Sequence, residues 1–201
     1  MKKFLHVGCG LKRKNRTTQG FNSCGWEEVR FDIDGAVAPD IVGTITDMSS
    51  VESESVDAIF SSHNIEHLYP HEVPNALEEF LRVLKPDGFL VATCPDLKSI
   101  CALVAEDQLN EAAYNSPAGP IAPIDILYGY RPSLKKGNLY MAHRCGFTQK
   151  VLDETLRSSG FLTTASMVRG LAPFFDLWVV ASKSQRDEKQ IRELAAIHFP
   201  I

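Results

Sequence analysis

An α/β layered sheet is the fold class this sequence predicts, and three observations carry the prediction. Strand-sized apolar runs alternate with helix-like stretches over most of the chain. The runs are continuous in apolar character, which suits strands covered on both faces, as in a parallel sheet. The first run ends in a glycine pair, "HVGCG", and the second ends in an acid, Asp32. A chain of 201 residues is long enough for one domain with a substantial core.

Seven strands are expected. The first four are Phe4 to Val7, Glu28 to Phe31 stopping at "DIDG", Ile41 with Val42, and Val56 to Ser61 ("VDAIFS"). The fifth is Phe89 to Thr93 ("FLVAT"), and the last two span about 162–168 and 175–181. Between the fourth and fifth, Val73, Leu77, Phe80, Leu81 and Leu84 make one apolar stripe at helical spacing. Pro74 suits the first turn of that helix, and "KPDG" ends it. A later helix has Thr148 as N-cap, Phe147 and Leu152 as a staple, and Gly160 as its stop. Residues 97–146 break the alternation with "NSPAGPIAP" and an aromatic, basic run. That is long for a connection, and such insertions tend to be functional. From Ser182 the tail is polar, with Ile191, Leu194, Ala195 and His198 at helical spacing. It reads as a short amphipathic helix that docks on this chain or pairs two copies into a homodimer. No internal repeat is evident.

Composition narrows the function classes. The apolar fraction is 44%, charged residues make up 23%, and net charge is −4. These values are ordinary for a soluble globular protein and argue against a dedicated nucleic-acid binder. No apolar run approaches the roughly 20 residues that span a bilayer. The start "MKKFLHVGCGL" lacks the sustained apolar region of a signal peptide. Five scattered cysteines without CxxC spacing fit a reduced, cytoplasmic setting and give no disulfide framework.

In an open parallel sheet, ligands sit at the carboxyl ends of the strands, beside the first strand. Gly8, Cys9 and Gly10 occupy that position, and Asp32 follows Gly8 by 24 residues. An acid there accepts hydrogen bonds from the hydroxyls of a ribose. A dinucleotide site would want GxGxxG opening a helix, whose N-terminus neutralises the diphosphate. Here Lys12 stands near the third position, and "LKRKNRTTQGFNSCGW" carries no apolar stripe. A nucleoside cofactor without phosphate fits better.

With these features the chain resembles a class I S-adenosylmethionine-dependent methyltransferase, of the group with the small type 11 domain. The matching segments are "LHVGCG", "VRFDID", "SVDAIFSSHNIEHL", "EEFLRVLKPDGFLVATCPD", "GFTQKVLDETLRSSGF" and "DLWVVASK". The resemblance implies a Rossmann-like, seven-stranded, mostly parallel sheet over residues 1–183, flanked by helices, with a lid-like insertion after strand five and a tail at 184–201. It implies S-adenosylmethionine as cofactor and S-adenosylhomocysteine as product. Backbone at Gly8, Cys9 and Gly10 would meet the methionine portion. Asp32 would hold the ribose and Ile33 pack on the adenine, with Thr44, Ile45 and Asp47 at the adenine edge. Ser61, Ser62 and His63 would border the transferred methyl group. His6 replaces an acid that often organises the loop in that family.

Methyl transfer is an in-line displacement, and much of its catalysis can come from alignment in a dry pocket. A base is needed only where the nucleophile must lose a proton. His63 is the first candidate base, its bland alternative being a loop cap. In the insertion, Tyr128, Tyr130, Arg131, Tyr140 and Arg144 suggest a substrate wall, with His143 a second catalytic candidate. The alternative is an ordinary lid whose aromatics fill its own core. "HNIEH" also reads as the HxxEH pattern of inverted zinc proteases. That pattern needs one helix face, and this segment straddles a strand end, so no metal site is expected. Lys12, Arg13, Lys14 and Arg16 form either a solvated loop or a patch that steers an acidic acceptor or RNA. The expected activity is methyl transfer to an oxygen or nitrogen of a small-molecule or glycan-type acceptor. The alternatives are RNA or protein methylation, or a non-catalytic cofactor-binding partner subunit.

Overall fold

The computed structural model describes residues 1–200. The main sheet takes its first five strands from Lys2–Val7 (β1), Trp26–Asp32 (β2), Ile41–Val42 (β3), Val56–Ser62 (β4) and Leu84–Pro95 (β5). A small hairpin, Tyr114–Ser116 (β6) with Gly119–Ile121 (β7), stands apart, and Thr163–Arg169 (β8) and Asp176–Ser182 (β9) return to the main sheet. Its order is β3-β2-β1-β4-β5-β9-β8. Pairings among the first five strands are parallel, and β9 runs antiparallel to both neighbours. The switch in connection order therefore falls between β1 and β4, where their carboxyl ends open a crevice.

The helices are Val73–Val83 (α1), Leu97–Ala105 (α2), Pro123–Tyr128 (α3), Arg131–Lys135 (α4), Gln149–Ser158 (α5) and Glu188–His198 (α6). Alternate residues of each strand face opposite layers. Leu5, Val7, Ile59 and Leu90 pack with Leu77 and Phe80 of α1 and with Leu152 and Leu156 of α5. Phe4, Phe60, Phe89 and Val91 face the other way, onto Phe21 and onto Ile191 and Ala195 of α6. Thr148 caps α5 as expected, its hydroxyl accepting from the Val151 N–H.

The second layer is unusual. The connection from β1 to β2 contains no α-helix, only a short 3₁₀ turn at Lys14–Arg16. Phe21 fills the gap, stacked on Phe4 with centroids 4.4 Å apart and set edge-on to Trp26 at 5.1 Å. The C-terminal helix α6 completes the cover. Asp187 caps it, and its end is pinned where the Gly20 N–H donates to the Ile197 carbonyl and Thr18 Oγ1 meets His198 Nδ1 at 2.7 Å. Ile191, Ala195 and His198 are thus buried within their own chain, the first of the two dockings expected for the tail. Among the described residues, no helix is long and apolar enough to cross a membrane.

Candidate active site

The loop leaving β1 turns on two glycines with positive φ, +60° at Gly8 and +51° at Gly10. A Cβ on Gly8 would stand 2.6 Å from Asn64 Cγ, so the glycine is required by space as well as by φ. The loop is braced from beneath by Arg30, a fully buried side chain on β2. Its guanidinium donates to the carbonyls of Gly10, Val37 and Ala38, tying the glycine loop to the segment after β2. Beside it, the Asp32 carboxylate accepts the Gly10 N–H at 2.7 Å and the Asp34 N–H at 2.9 Å. One backbone donor on each oxygen leaves each with accepting capacity for a ligand.

These groups line a cavity of about 400 Å³. That is within the range of small-molecule sites, roughly 300–1,000 Å³. Phe31, Ile33, Val37 and Ile45 supply apolar wall, Asp32 and Thr44 supply acceptors, and His63 and Asn64 close the end at β4. The insertion returns over the mouth with Tyr140, Met141 and Arg144. Arg144 lies over the Tyr69 ring at 4.7 Å and donates from Nη1 to the His67 carbonyl.

The wall at β4 carries an unusual cluster. His63 has φ +51° and a side chain that is 45% exposed. The chain then makes a 3₁₀ turn, Ile65–His67, which drives Glu66 inward until it is 1% exposed. His63 Nδ1 approaches Glu66 Oε1 at 3.4 Å without hydrogen-bond geometry, and both carboxylate oxygens are buried with no hydrogen-bond partner. Burial alone would raise this carboxyl. The surrounding His63, His67 and His143 outweigh it and hold the pKa below the ordinary value. His143 arrives from the insertion, its ring 4.9 Å from that of His67. The N–H groups of Arg144 and Cys145 fix that approach by donating to the Glu66 carbonyl. Burial pushes the His143 pKa down.

Of the residues expected to hold a cofactor, Gly8, Gly10, Asp32, Ile33, Thr44 and Ile45 line this cavity. The Cys9 side chain points into the core, fully buried, and its thiol is raised to about 11 by burial. Asp47 does not reach the cavity: it sits in a surface depression with Glu78 and Arg82, accepting the Ser49 N–H. Ser61 and Ser62 also fall outside the lining, which the chain leaving β4 enters at His63. Among the substrate candidates, Tyr140 and Arg144 line the cavity. Tyr128 is solvent-exposed, the Tyr130 hydroxyl donates to the Ala118 carbonyl, and Arg131 forms a two-pronged pair with Asp125 inside the insertion. His143 faces Glu66 and a small cavity behind it, away from the main one.

Several functional positions escaped the sequence reading. Asn64 and Arg30 had no motif to announce them, and Glu66 was visible only as part of "HNIEH". His6 also proves distinct from a family acid. It lies on the far face beside Phe60, with Nδ1 2.7 Å from Glu28, whose other oxygen accepts the Lys14 N–H. The histidine thus orders the basic loop, and burial lowers its pKa against the opposing pull of Glu28.

Residues 5–92 match a family model described as a methyltransferase domain. No curated protein matches the chain. Solved structures similar in fold include an S-adenosylmethionine-dependent methyltransferase from Archaeoglobus fulgidus. It has 15% identity and a TM-score of 0.58, with 90% of this chain and 86% of that one covered. Another, from Methanosarcina mazei, has 17% identity and a TM-score of 0.59 over 92% and 93%. A third is the 1,6-didemethyltoxoflavin-N1-methyltransferase of Burkholderia thailandensis, solved with 1,6-didemethyltoxoflavin and S-adenosylhomocysteine bound. It has 14% identity and a TM-score of 0.54 over 91% and 71%.

Proposed function

We propose that this chain, whose residues 5–92 match a family model described as a methyltransferase domain, is a class I methyltransferase that moves a methyl group from S-adenosylmethionine to an oxygen or nitrogen of a small-molecule acceptor. The observation that carries the reading is the Asp32 carboxylate. It is held beside the Gly8–Gly10 turn by two backbone donors, with an accepting site left on each oxygen at the wall of the cavity. Such a group suits the two hydroxyls of a ribose. Ile33 and Val37 offer apolar contact for a planar base, and Thr44 a polar group at its edge.

When bound, the cofactor supplies an electrophilic methyl on a sulfonium. The chain's part is to align and to exclude water. The glycine turn lets backbone approach closely, and the Asn64 side chain packs against the turn from the β4 side. Tyr140, Met141 and Arg144 cover the mouth and are placed to contact an acceptor. The acceptor's lone pair forms the new bond to carbon while the carbon–sulfur pair returns to sulfur, so the transfer is redox-neutral. A hydroxyl or ammonium acceptor must also give up one proton, and His63 is the exposed imidazole on the cavity wall placed to take it. A small acceptor is favoured over RNA because Lys12, Arg13, Lys14 and Arg16 lie outside the cavity lining, and Lys14 is held by Trp26 and Glu28.

Calorimetry with S-adenosylmethionine and S-adenosylhomocysteine tests the reading. Both bind, and Asp32→Ala weakens both at least about tenfold, the loss expected for charge-assisted hydrogen bonds. Absence of binding at millimolar ligand, or an indifferent Asp32→Ala, overturns it.

A further inference from the structure

We infer that Glu66, His67 and His143 form a site for one divalent first-row transition-metal ion at the β4 wall of the cavity. Three features carry this beyond a generic histidine cluster. First, Glu66, His67 and His143 each offer one ligand atom, all within 4.8 Å of one another. Two ligands on one such ion lie roughly 3–4 Å apart for bonds near 2.1 Å, so the set is an ångström or so from closing on a metal.

Second, the imidazoles are already oriented as metal ligands are. His67 Nδ1 lies 3.0 Å from the Ala142 carbonyl, and His143 Nδ1 lies 2.7 Å from the Ile126 carbonyl. A carbonyl only accepts, so both Nδ1 atoms carry the proton and the Nε2 lone pairs are free. Holding one ring nitrogen on a backbone carbonyl is the usual support of a ligating histidine. Third, Glu66 is a buried carboxylate with neither oxygen partnered. A buried carboxylate without hydrogen bonds is costly, and a cation between these three residues lowers that cost. A small cavity of about 20 Å³, lined by Glu66, His143 and Cys145, lies against the cluster, while His63 and His67 face the main cavity. That volume holds about one water-sized species. Of the three ligands, His67 is the one that borders the acceptor side.

Imidazole nitrogen with a single carboxylate selects zinc, iron, cobalt or nickel over magnesium or calcium, which prefer all-oxygen sites. Its consequence for chemistry rests on the methyl-transfer reading above. An ion here lowers the pKa of an adjacent acceptor hydroxyl and so favours oxygen over nitrogen as nucleophile. The hydroxyl proton goes to His63 and from there to water, the oxygen pair bonds the methyl carbon, and the carbon–sulfur pair stays on sulfur. A methyl ether, a neutral thioether and one proton result.

The test is Co²⁺ titration of the metal-free full chain, followed by visible ligand-field absorption, with S-adenosylhomocysteine calorimetry run in parallel. One Co²⁺ per chain binds and is displaced by Zn²⁺. Glu66→Gln and His143→Ala each weaken it by about tenfold or more. His71→Ala, at an exposed histidine, leaves it unchanged. Should His143→Ala fail to fold by circular dichroism, the near-isosteric Glu66→Gln decides. A wild-type chain that binds no Co²⁺, or a Glu66→Gln chain that binds as well as wild type, overturns the site and leaves an ordinary His–Glu cluster. Co²⁺ binding without S-adenosylhomocysteine binding upholds the site and removes the methyl-transfer reading instead.

Discussion

Gly8 concentrates the demands of the site on one residue. Its φ of +60° is a region that costs an L-residue roughly 1–2 kcal/mol. The added methyl would also press on the Asn64 side chain, 2.6 Å from its Cγ. Gly8→Ala should therefore keep the fold, which rests on the core strands, and weaken S-adenosylhomocysteine binding by tenfold or so, the affinity equivalent of about 1.4 kcal/mol. Removing the obstacle in the double variant Gly8→Ala/Asn64→Ala should recover part of that loss, as seen by calorimetry. Full affinity in the single variant would show that the turn does not face the ligand. The glycines were legible because φ > 0 leaves a composition signal. Arg30 was not, since a buried arginine on a strand looks in sequence like any charged residue. Only the fold reveals the three carbonyls that it binds.

At the level of elements, the striped helix and the capped one follow from their periodicity, and α1 and α5 lie within a residue or two of where the spacing predicts. The β1–β2 connection is different. The sequence correctly lacks a helical stripe there, but it does not disclose what covers the sheet instead. The answer joins residues far apart in the chain: Phe21 stacks on Phe4 and meets His198 of α6 at 4.3 Å. Such long-range pairing has no local pattern. Phe21 accordingly carries the load that a crossover helix would share among several side chains. Phe21→Ala should cost about 3–5 kcal/mol, the range for deleting a buried ring, measured by urea denaturation. A loss below about 1 kcal/mol, the average for any substitution, would mean that α6 collapses to fill the space. The insertion shows the opposite limit. Its length pointed to function, yet its tyrosines and arginines divide between the cavity wall and its own scaffolding, a division that composition does not encode.

For the molecule as a whole, the layered, mostly parallel sheet and the position of the crevice were legible because parallel α/β chains repeat one supersecondary unit. The docking of the C-terminal helix was legible but its place was not, and its closure of the second layer gives the fold a pH dependence. His198 is 3% exposed among Phe21, Phe89 and Thr18, and burial lowers its pKa to about 4 from an ordinary 6.5. A histidine depressed on folding binds its proton more readily in the unfolded chain. The stability it represents is complete above pH 6.5 and is lost progressively as the pH falls towards 4. A shift of that size corresponds to about 3 kcal/mol once the lower limit is passed. For a chain of this length that is a fall in Tm of roughly 6–12 °C. Other groups titrate over the same interval, so the contribution is isolated by comparison with His198→Gln, which stays neutral. The difference in Tm between the two proteins should change across pH 6.5 to 4 in favour of the variant. Parallel melting curves would mean that α6 lifts away and lets His198 protonate in water, leaving the fold to stand on the first layer and Phe21 alone.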